Sequence, residues 1–578
     1  MGLVQLTING RNVEVEEGST ILDAARKLNI DIPTLCHLKL QDGKTVSCTS
    51  SCRVCVVEVE GRKNLAASCS TPVAPFMSVK TNTQRVANAR KTIVELLLSD
   101  HPQDCLKCQK NLKCELQKIA SDLNIREIRY EGEMSKTPVD YSSVAVTRDV
   151  DKCILCRRCV SVCSNIQSVN VLAPVYRGFD TVISTAFNDP LADTNCTNCG
   201  QCVAVCPTGA LREANDEDRV WDALDDPEKY VIVQTAPSIR AALGEQFGFA
   251  PGTNVTGKMV SVLKALGFKK VYDTDFAADL TIMEEASELI ERIKSNQNLP
   301  LLTSCCPGWI KFMEHNYSEL LNLPSSCKSP QQMFGAIAKS YLAEKLGVDP
   351  KNMVVVSVMP CTAKKYEASR EEMEVDGIRD VDIVITTREL SSMIRSAGLD
   401  LKDFEGEEFD NPLGESTGAS VIFGTTGGVM EAALRTAYEW VTGEDLENLD
   451  FEPVRGLTGI KSADVKIGDL NLKVAVGSGL ANARQLMESI KNGENEFAMI
   501  EIMACPFGCI DGGGQPYIRG NKDILKKRME VLYNADSGKQ IRKSHENPMI
   551  KELYENYLMK PNGEKPHKLL HTKYKARK

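Results

Sequence analysis

The chain has 578 residues, room for about three to five domains, and 42% hydrophobic residues, enough for globular cores rather than disorder. A net charge of −9 argues against nucleic acid or an anionic membrane as the main partner, because both demand basic surface. No apolar run approaches the roughly 20 residues of a membrane span. The opening MGLVQLTING lacks a basic and an apolar leader region, so a cytoplasmic protein is expected. Cysteine is the outlier, with 22 against six histidines. In a reducing compartment, tight C-x2-C groups read as metal sites rather than disulfides.

Taken in order, residues 1–83 read as a small β-rich domain. Val4–Ile8 alternates as a strand, Asn9-Gly10 signals a hairpin turn into Val13–Val15, and Ser19 or Thr20 caps a helix over Ile21–Leu28. Strand, turn, strand, helix is the opening of a β-grasp fold. Residues 84–132 begin with a helical pattern from Val86 to Leu98 that ends near His101-Pro102. Residues 133–215 are dense in cysteine and poor in apolar periodicity, so metal is expected to hold them together. Residues 216–578 alternate strand-like runs (Tyr230–Val233, Met353–Val358, Val381–Thr386, Lys473–Val476, Phe497–Met503) with helical stretches such as Met333–Leu346. The tail after about 540 reads as a solvated basic end without a catalytic role. The whole is a multidomain α+β chain, with a large α/β domain of two lobes at its C-terminal end.

The most specific signal is a repeat of C-x2-C-x2-C-x3-C at 153–163 and 196–206, the second followed by Pro207. It resembles bacterial two-cluster ferredoxins, in which the fourth cysteine of each run ligates the other cluster. That resemblance implies one 4Fe–4S cluster on Cys153, Cys156, Cys159 and Cys206, and another on Cys196, Cys199, Cys202 and Cys163. A zinc site takes four ligands and leaves the repeat unexplained. Upstream, Cys36, Cys52, Cys55 and Cys69 resemble a plant-type 2Fe–2S arrangement. The gap from Cys36 to Cys52 is long for that pattern, and Cys48 inside it is read as a spare thiol. His101, Cys105, Cys108 and Cys114 form a further set; spacing alone allows zinc or a 4Fe–4S cluster. Its place between two cluster domains favours a ligand role for His101, and the segment is carried forward as a His/Cys3 4Fe–4S domain. Together these sets resemble the electron-input arm shared by complex I-type subunits, some formate dehydrogenases and FeFe hydrogenases.

Three cysteine segments in the C-terminal half decide what the arm feeds: Thr303–Trp309 with Cys305-Cys306, Met359–Lys365 with Cys361, and Met503–Pro516 with Cys505 and Cys509. Each follows a strand-like run, which places the thiols where loops converge. They resemble the three signature segments of the FeFe hydrogenase family, over essentially the whole chain. The third departs slightly, with Pro506-Phe507 between its cysteines. The resemblance implies an H-cluster: a 4Fe–4S cubane on Cys306, Cys361, Cys505 and Cys509, with Cys509 bridging to a two-iron unit that carries CO, cyanide and a dithiolate. It implies Lys364 as a cyanide partner, and Ala236, Pro237, Ser238, Pro330, Gln331, Met359, Met503 and Phe423 as pocket. It also implies a proton path through Cys305, Glu285, Ser325, Glu288 and Arg292, although a helical Glu/Arg face is ordinarily just solvated. Gly424–Gly428 fits no nucleotide fingerprint and reads as close backbone packing. Cys327 has no assigned role.

The function so implied is reversible oxidation of H2. A hydrogen sensor would carry a signalling module, and a molybdenum formate dehydrogenase would need a much longer C-terminal half. With no nicotinamide or flavin motif in the chain, electrons are expected to pass to ferredoxin or to a flavoprotein NAD(P)-reducing subunit, the latter in an NAD(P)-linked or electron-bifurcating complex. Hydrogenase maturation proteins are implied as further partners.

Overall fold

The computed structural model describes residues 2–40 and 49–577, so Cys48 lies outside the described residues. Near the N-terminus, Leu3–Ile8 and Arg11–Glu16 pair as an antiparallel hairpin. Asn9 and Gly10, both at positive φ (49° and 79°), make the turn, which matches the right-handed strand twist. Thr20 caps the helix Ile21–Lys27 through a capping box with Asp23. The sheet has five strands in the order 11–16, 3–8, 78–80, 56–59, 66–67, with 3–8 and 78–80 parallel. Helix Gln84–Ser99 leads out of it, and its buried Arg90 donates to Val56 O.

Residues 133–215 hold little regular structure. Their termini close as an antiparallel pair, Val146–Arg148 with Leu211–Glu213, and the two cysteine runs lie between. A short ribbon, Ala173–Val175 with Val182–Ser184, occupies the insertion separating the runs.

Two four-stranded sheets build the C-terminal half. The first, in the order 270–273, 230–235, 353–359, 383–386, is wholly parallel. Its strands run as nearly continuous apolar stretches because helices cover both faces: Val231, Ile232, Val233, Val355, Val356 and Val358 are all at most 2% exposed. The second sheet runs 301–302, 497–503, 470–478, 460–467, parallel except for the last hairpin. The strand Ile460–Ile467 was not anticipated, and the expected 381–386 strand is shortened to Ile383–Thr386. The expected 333–346 helix starts at Pro330, whose ring suits the first helical turn, and passes through a π-helical stretch at Ala338–Leu342. The glycine-rich 424–428 segment is close backbone packing as expected: a Cβ on Gly428 would lie 1.8 Å from Ile422 O.

The C-terminal tail corrects the sequence reading. It is not a solvated end: Pro548–Leu553, Tyr554–Leu558 and Glu564–Leu570 are helical, and Ile550, Leu553, Leu558 and Leu570 are at most 1% exposed in the core of the first sheet. Apolar residues spaced three to four apart form a buried stripe that the surrounding charges mask in composition. Among the described residues, no helix is long and apolar enough to cross a membrane.

Candidate active site

The C-terminal ends of the two parallel sheets face one cavity of about 90 Å3. This is the usual place for a site in an open α/β sheet, because loops leaving strand ends diverge there. Strand 230–235 delivers Ala236, Pro237 and Ser238, and strand 353–359 delivers Met359, Cys361 and Lys364. From the second sheet, 301–302 delivers Cys305 and Cys306, and 497–503 delivers Met503, Cys505 and Cys509. Pro330, Gln331 and Phe423 complete the wall. All eight expected pocket residues therefore line a single cavity with the five cysteines. Thr274, Pro307, Pro360, Gly424 and Gly508 also line it and were not foreseen. Thr274 had a signal, since it too follows a strand, 270–273.

The donor set fits a cubane. Burial pushes the Cys361 thiol up to about 12 and raises Cys306, and burial reinforced by the neighbouring thiols raises Cys505 and Cys509 as well. Four buried thiols that repel each other's ionised form need a shared cation before they can become thiolates, and iron supplies it. Ala504 N already donates to Cys306 Sγ at 3.3 Å. Buried Gln331 Oε1 has no partner, so the wall retains unspent polar capacity.

Lys364 is held rigidly. Its Nζ donates to Cys305 O at 3.0 Å and to both oxygens of Glu367, at 3.1 and 2.9 Å. Burial opposes its charge, but the Glu367 carboxylate more than offsets this, and its pKa lies above the usual lysine value. Glu367 also accepts from Ser329 Oγ and Gln331 Nε2. Sequence reasoning missed Glu367, although its position three residues after Lys364 on one helix was the available signal.

The acidic face of helix Thr274–Ser295 is not solvated: Glu285 is fully buried. Burial, followed by the charge of Glu288, pushes its carboxyl up to about 8. Ser304 Oγ approaches Glu285 Oε1 at 3.5 Å. Ser325 Oγ donates to Glu288 Oε2 at 2.8 Å, and Arg292 donates to Glu288 Oε1 at 2.5 Å. Arg292 also donates to Leu323 O and Pro324 O, which clamps the loop that carries Ser325. Ser325, Glu288 and Arg292 are thus joined by hydrogen bonds, and Glu285 lies close enough to Cys305, Ser325 and Glu288 to interact with each.

Twelve other cysteines gather as three sets, and Cys114 lies near Cys108. Cys36, Cys52, Cys55 and Cys69 are at most 7% exposed and in mutual contact. His101 keeps a buried Nδ1 without a partner, as a metal ligand would. Cys153, Cys156, Cys159 and Cys206 line one narrow cavity, and Cys163 sits within the field of Cys196, Cys199 and Cys202. One apolar cluster contains Cys36, Cys52 and Cys156, with Cys114 packed against it. At the other end, Thr362 Oγ1 donates to Asn198 O at 2.7 Å, and a Cβ on Gly513 would lie 2.5 Å from Cys199 O. Only glycine allows that approach between the second ferredoxin-like run and the cavity loops. Cys327 is buried and its N–H donates to Ser325 Oγ at 3.1 Å, a structural position beside the expected proton path.

Comparison with known proteins follows this division. Residues 229–513 match the iron only hydrogenase large subunit, C-terminal domain, and 522–577 match the iron hydrogenase small subunit. Residues 2–84 match a 2Fe-2S iron-sulfur cluster binding domain, 90–129 the NADH-ubiquinone oxidoreductase-G iron-sulfur binding region, and 152–210 a 4Fe-4S dicluster domain. The chain is 58% identical to the NADP-reducing hydrogenase subunit HndD of Solidesulfovibrio fructosivorans, over 99% of both chains. It is 44% identical to iron hydrogenase 1 of Clostridium pasteurianum, again over 99% of both. A solved apo FeFe-hydrogenase HydA1 from Chlamydomonas reinhardtii superposes with a TM-score of 0.56 at 46% identity, covering 62% of this chain and 98% of that one.

Proposed function

The chain belongs to the iron-only (FeFe) hydrogenase family, and from that premise we propose how its own residues serve the reaction. It is a catalytic subunit with N-terminal iron–sulfur domains, and it interconverts H2 with protons and electrons.

Cys306, Cys361, Cys505 and Cys509 would hold the H-cluster. When bound, that group supplies the metal centre at which H2 is split or formed. The protein's part is to seat it, keep water out and manage the proton. Ala236, Pro237, Pro330, Met359, Met503 and Phe423 wall the cavity with apolar atoms, while Ser238 and Gln331 offer hydrogen bonds. Lys364, kept charged by Glu367, presents an ammonium to an anionic ligand of the group.

Protons pass between the Cys305 thiol and solvent through Glu285, Ser325, Glu288 and Arg292. A carboxyl near 8 suits this role, because at neutral pH it is mostly protonated yet readily ionised. Cys196, Cys199, Cys202 and Cys163 would hold the second ferredoxin-like cluster, which would supply one-electron redox chemistry beside the cavity loops at the Gly513 contact. Behind it stands the cluster on Cys153, Cys156, Cys159 and Cys206. Two inlets meet there, the 2Fe–2S site on Cys36, Cys52, Cys55 and Cys69 and the His101/Cys105/Cys108/Cys114 site. The packing of Cys36, Cys52 and Cys114 with Cys156 supports this branching.

For the electron partner, full-length similarity to a subunit of an NADP-reducing hydrogenase supports a flavoprotein NAD(P)-reducing subunit, in an NAD(P)-linked complex that could bifurcate electrons to ferredoxin. Ferredoxin acting alone is the second reading. Purification from the native source separates the two by whether a flavin subunit co-elutes.

The observation that carries the ligand and pocket assignment is the single cavity shared by five cysteines and all eight expected wall residues. Infrared spectra of matured protein should show metal-bound CO and cyanide bands, shifted by Lys364→Ala. Absence of those bands, with no H2 from reduced viologen, would overturn the assignment.

A further inference from the structure

A second cavity, of about 730 Å3, lies away from the catalytic one, between the Cys108–Cys114 loop and helix Thr387–Ser396. Its volume is that of a small-molecule site. Five cations line it: Arg388 is paired with Glu213, while Lys110, Lys113, Arg212 and Arg395 form no ion pair with any described carboxylate. Lys110 is only 5% exposed. Its ammonium sits 3.3 Å from the centroid of the Tyr517 ring; Glu213 lies within reach of its charge but is already paired with Arg388. Lys113 Nζ donates to Gln246 Oε1 at 2.7 Å, and Arg395 donates to Gln246 O and lies over the Phe247 ring. Arg212 reaches only Tyr141 Oη, at 3.5 Å.

The carboxylates on the same wall are already engaged. Glu213 is held bidentately by Arg388, and Glu389 by Lys365. Glu217 is the remaining acid lining the cavity; burial, followed by the charges of Glu389 and Glu213, pushes it up to about 7. In a chain of net charge −9, five cations against three carboxylates around one concave space are a local inversion of sign. A buried ammonium without a counter-charge is costly unless something supplies one. Part of the balance for Lys110 comes from the thiolates at Cys108 and Cys114, but Arg395 and Arg212 belong to other segments.

We propose that this cavity binds a small, multiply charged, phosphate-bearing anion. Two ammonium groups act as point charges and two guanidinium forks offer bidentate contacts, the donor set that suits phosphate oxygens. Arg395 is joined to the cluster-bearing loop through its shared partner Gln246, so occupancy ties helix Thr387–Ser396 of the catalytic half to that loop.

The test uses purified holoenzyme, with inorganic phosphate, pyrophosphate and ADP as separate probes in calorimetric titrations at low ionic strength. Saturable one-to-one binding of at least one probe is expected, strongest for those with two phosphates. Lys110→Met keeps the aliphatic stem against Tyr517, and Arg395→Gln lies outside the cysteine loop. Each should weaken binding by about tenfold, the loss of one charge-assisted contact. Lys107→Gln, exposed in the same loop but not lining the cavity, should leave binding unchanged. Iron content establishes that each variant is loaded. No saturable binding of any probe, or equal binding by both cavity variants, would overturn the proposal. So would variants that shift only the redox midpoint of the neighbouring cluster, which would mean that the cations serve the thiolates alone.

Discussion

The N-terminal cysteine modules and the catalytic cavity bind the same kind of metal by opposite strategies. In the assignment proposed for the ferredoxin-like module, three ligands of each set fall within seven residues, and one distant fourth ties the two runs together. The four cysteines proposed as ligands in the catalytic cavity come from positions 306, 361, 505 and 509, carried on the ends of two separate sheets. The first kind of site is made by a loop and held by metal; the second is made by the fold before metal arrives. Ligand loss should therefore have different consequences in the two regions.

The sharpest test of that contrast is Cys509→Ser. It should abolish H2 turnover, a loss of more than about a thousandfold. The paramagnetic signals of the N-terminal clusters and the thermal unfolding midpoint should stay close to those of the parent. Cys159→Ser should do the reverse, disturbing the local fold of 133–215 while the apolar sheets of the catalytic half remain folded. Equal damage to both regions from either substitution would break the comparison.

How far each region could be read from sequence follows the same division. Cysteine spacing exposed the N-terminal sets directly, because a short loop encodes its own geometry. The catalytic cysteines were found through their positions after strand-like runs together with a family resemblance. What escaped were features set by tertiary context. Glu367 looks like one more surface charge until the fold buries it against Lys364 and Gln331. Ile550, Leu553 and Leu570 sit in a segment whose polarity hid their stripe. The strand Ile460–Ile467 does alternate, with Lys461, Ala463, Val465 and Ile467 turned inward and Ser462, Asp464 and Lys466 outward, but a buried lysine and a single alanine on the inner face weaken the apolar signal until the partner Leu470–Ser478 is in place.

Next in size come the proton-path variants, which separate proton delivery from metal binding inside the cavity. Cys305→Ala or Glu285→Gln should slow turnover by about a hundredfold or more and leave iron content unchanged. Full rates would remove the path from the mechanism. The same carboxyl gives a pH signature. Its pKa in the folded chain is raised from 4.5 to about 8, so folding takes up a proton there between those values. Its contribution to stability is fully present below 4.5 and is lost as pH rises through 8. Wild-type protein should lose stability over that window relative to Glu285→Gln, and its proton-limited rate should decline above about 8. A parallel stability profile in the variant would show that Glu285 does not titrate there.

The smallest expected effect concerns the tail, which joins the two strategies: a segment far along the chain that braces the loop carrying Ser325. Tyr574 Oη donates to Ser325 O at 3.0 Å, and Thr572 N donates to Ser326 O at 2.7 Å. Tyr574→Phe removes a partly buried hydroxyl shared between Ser325 O and, at 3.4 Å, Cys327 O, and should cost about 1 kcal/mol of stability, read as a small drop in unfolding midpoint. Because Arg292 still clamps Leu323 O and Pro324 O, turnover should fall by no more than about threefold. A loss as large as that of Glu285→Gln would place the tail inside the proton path rather than behind it.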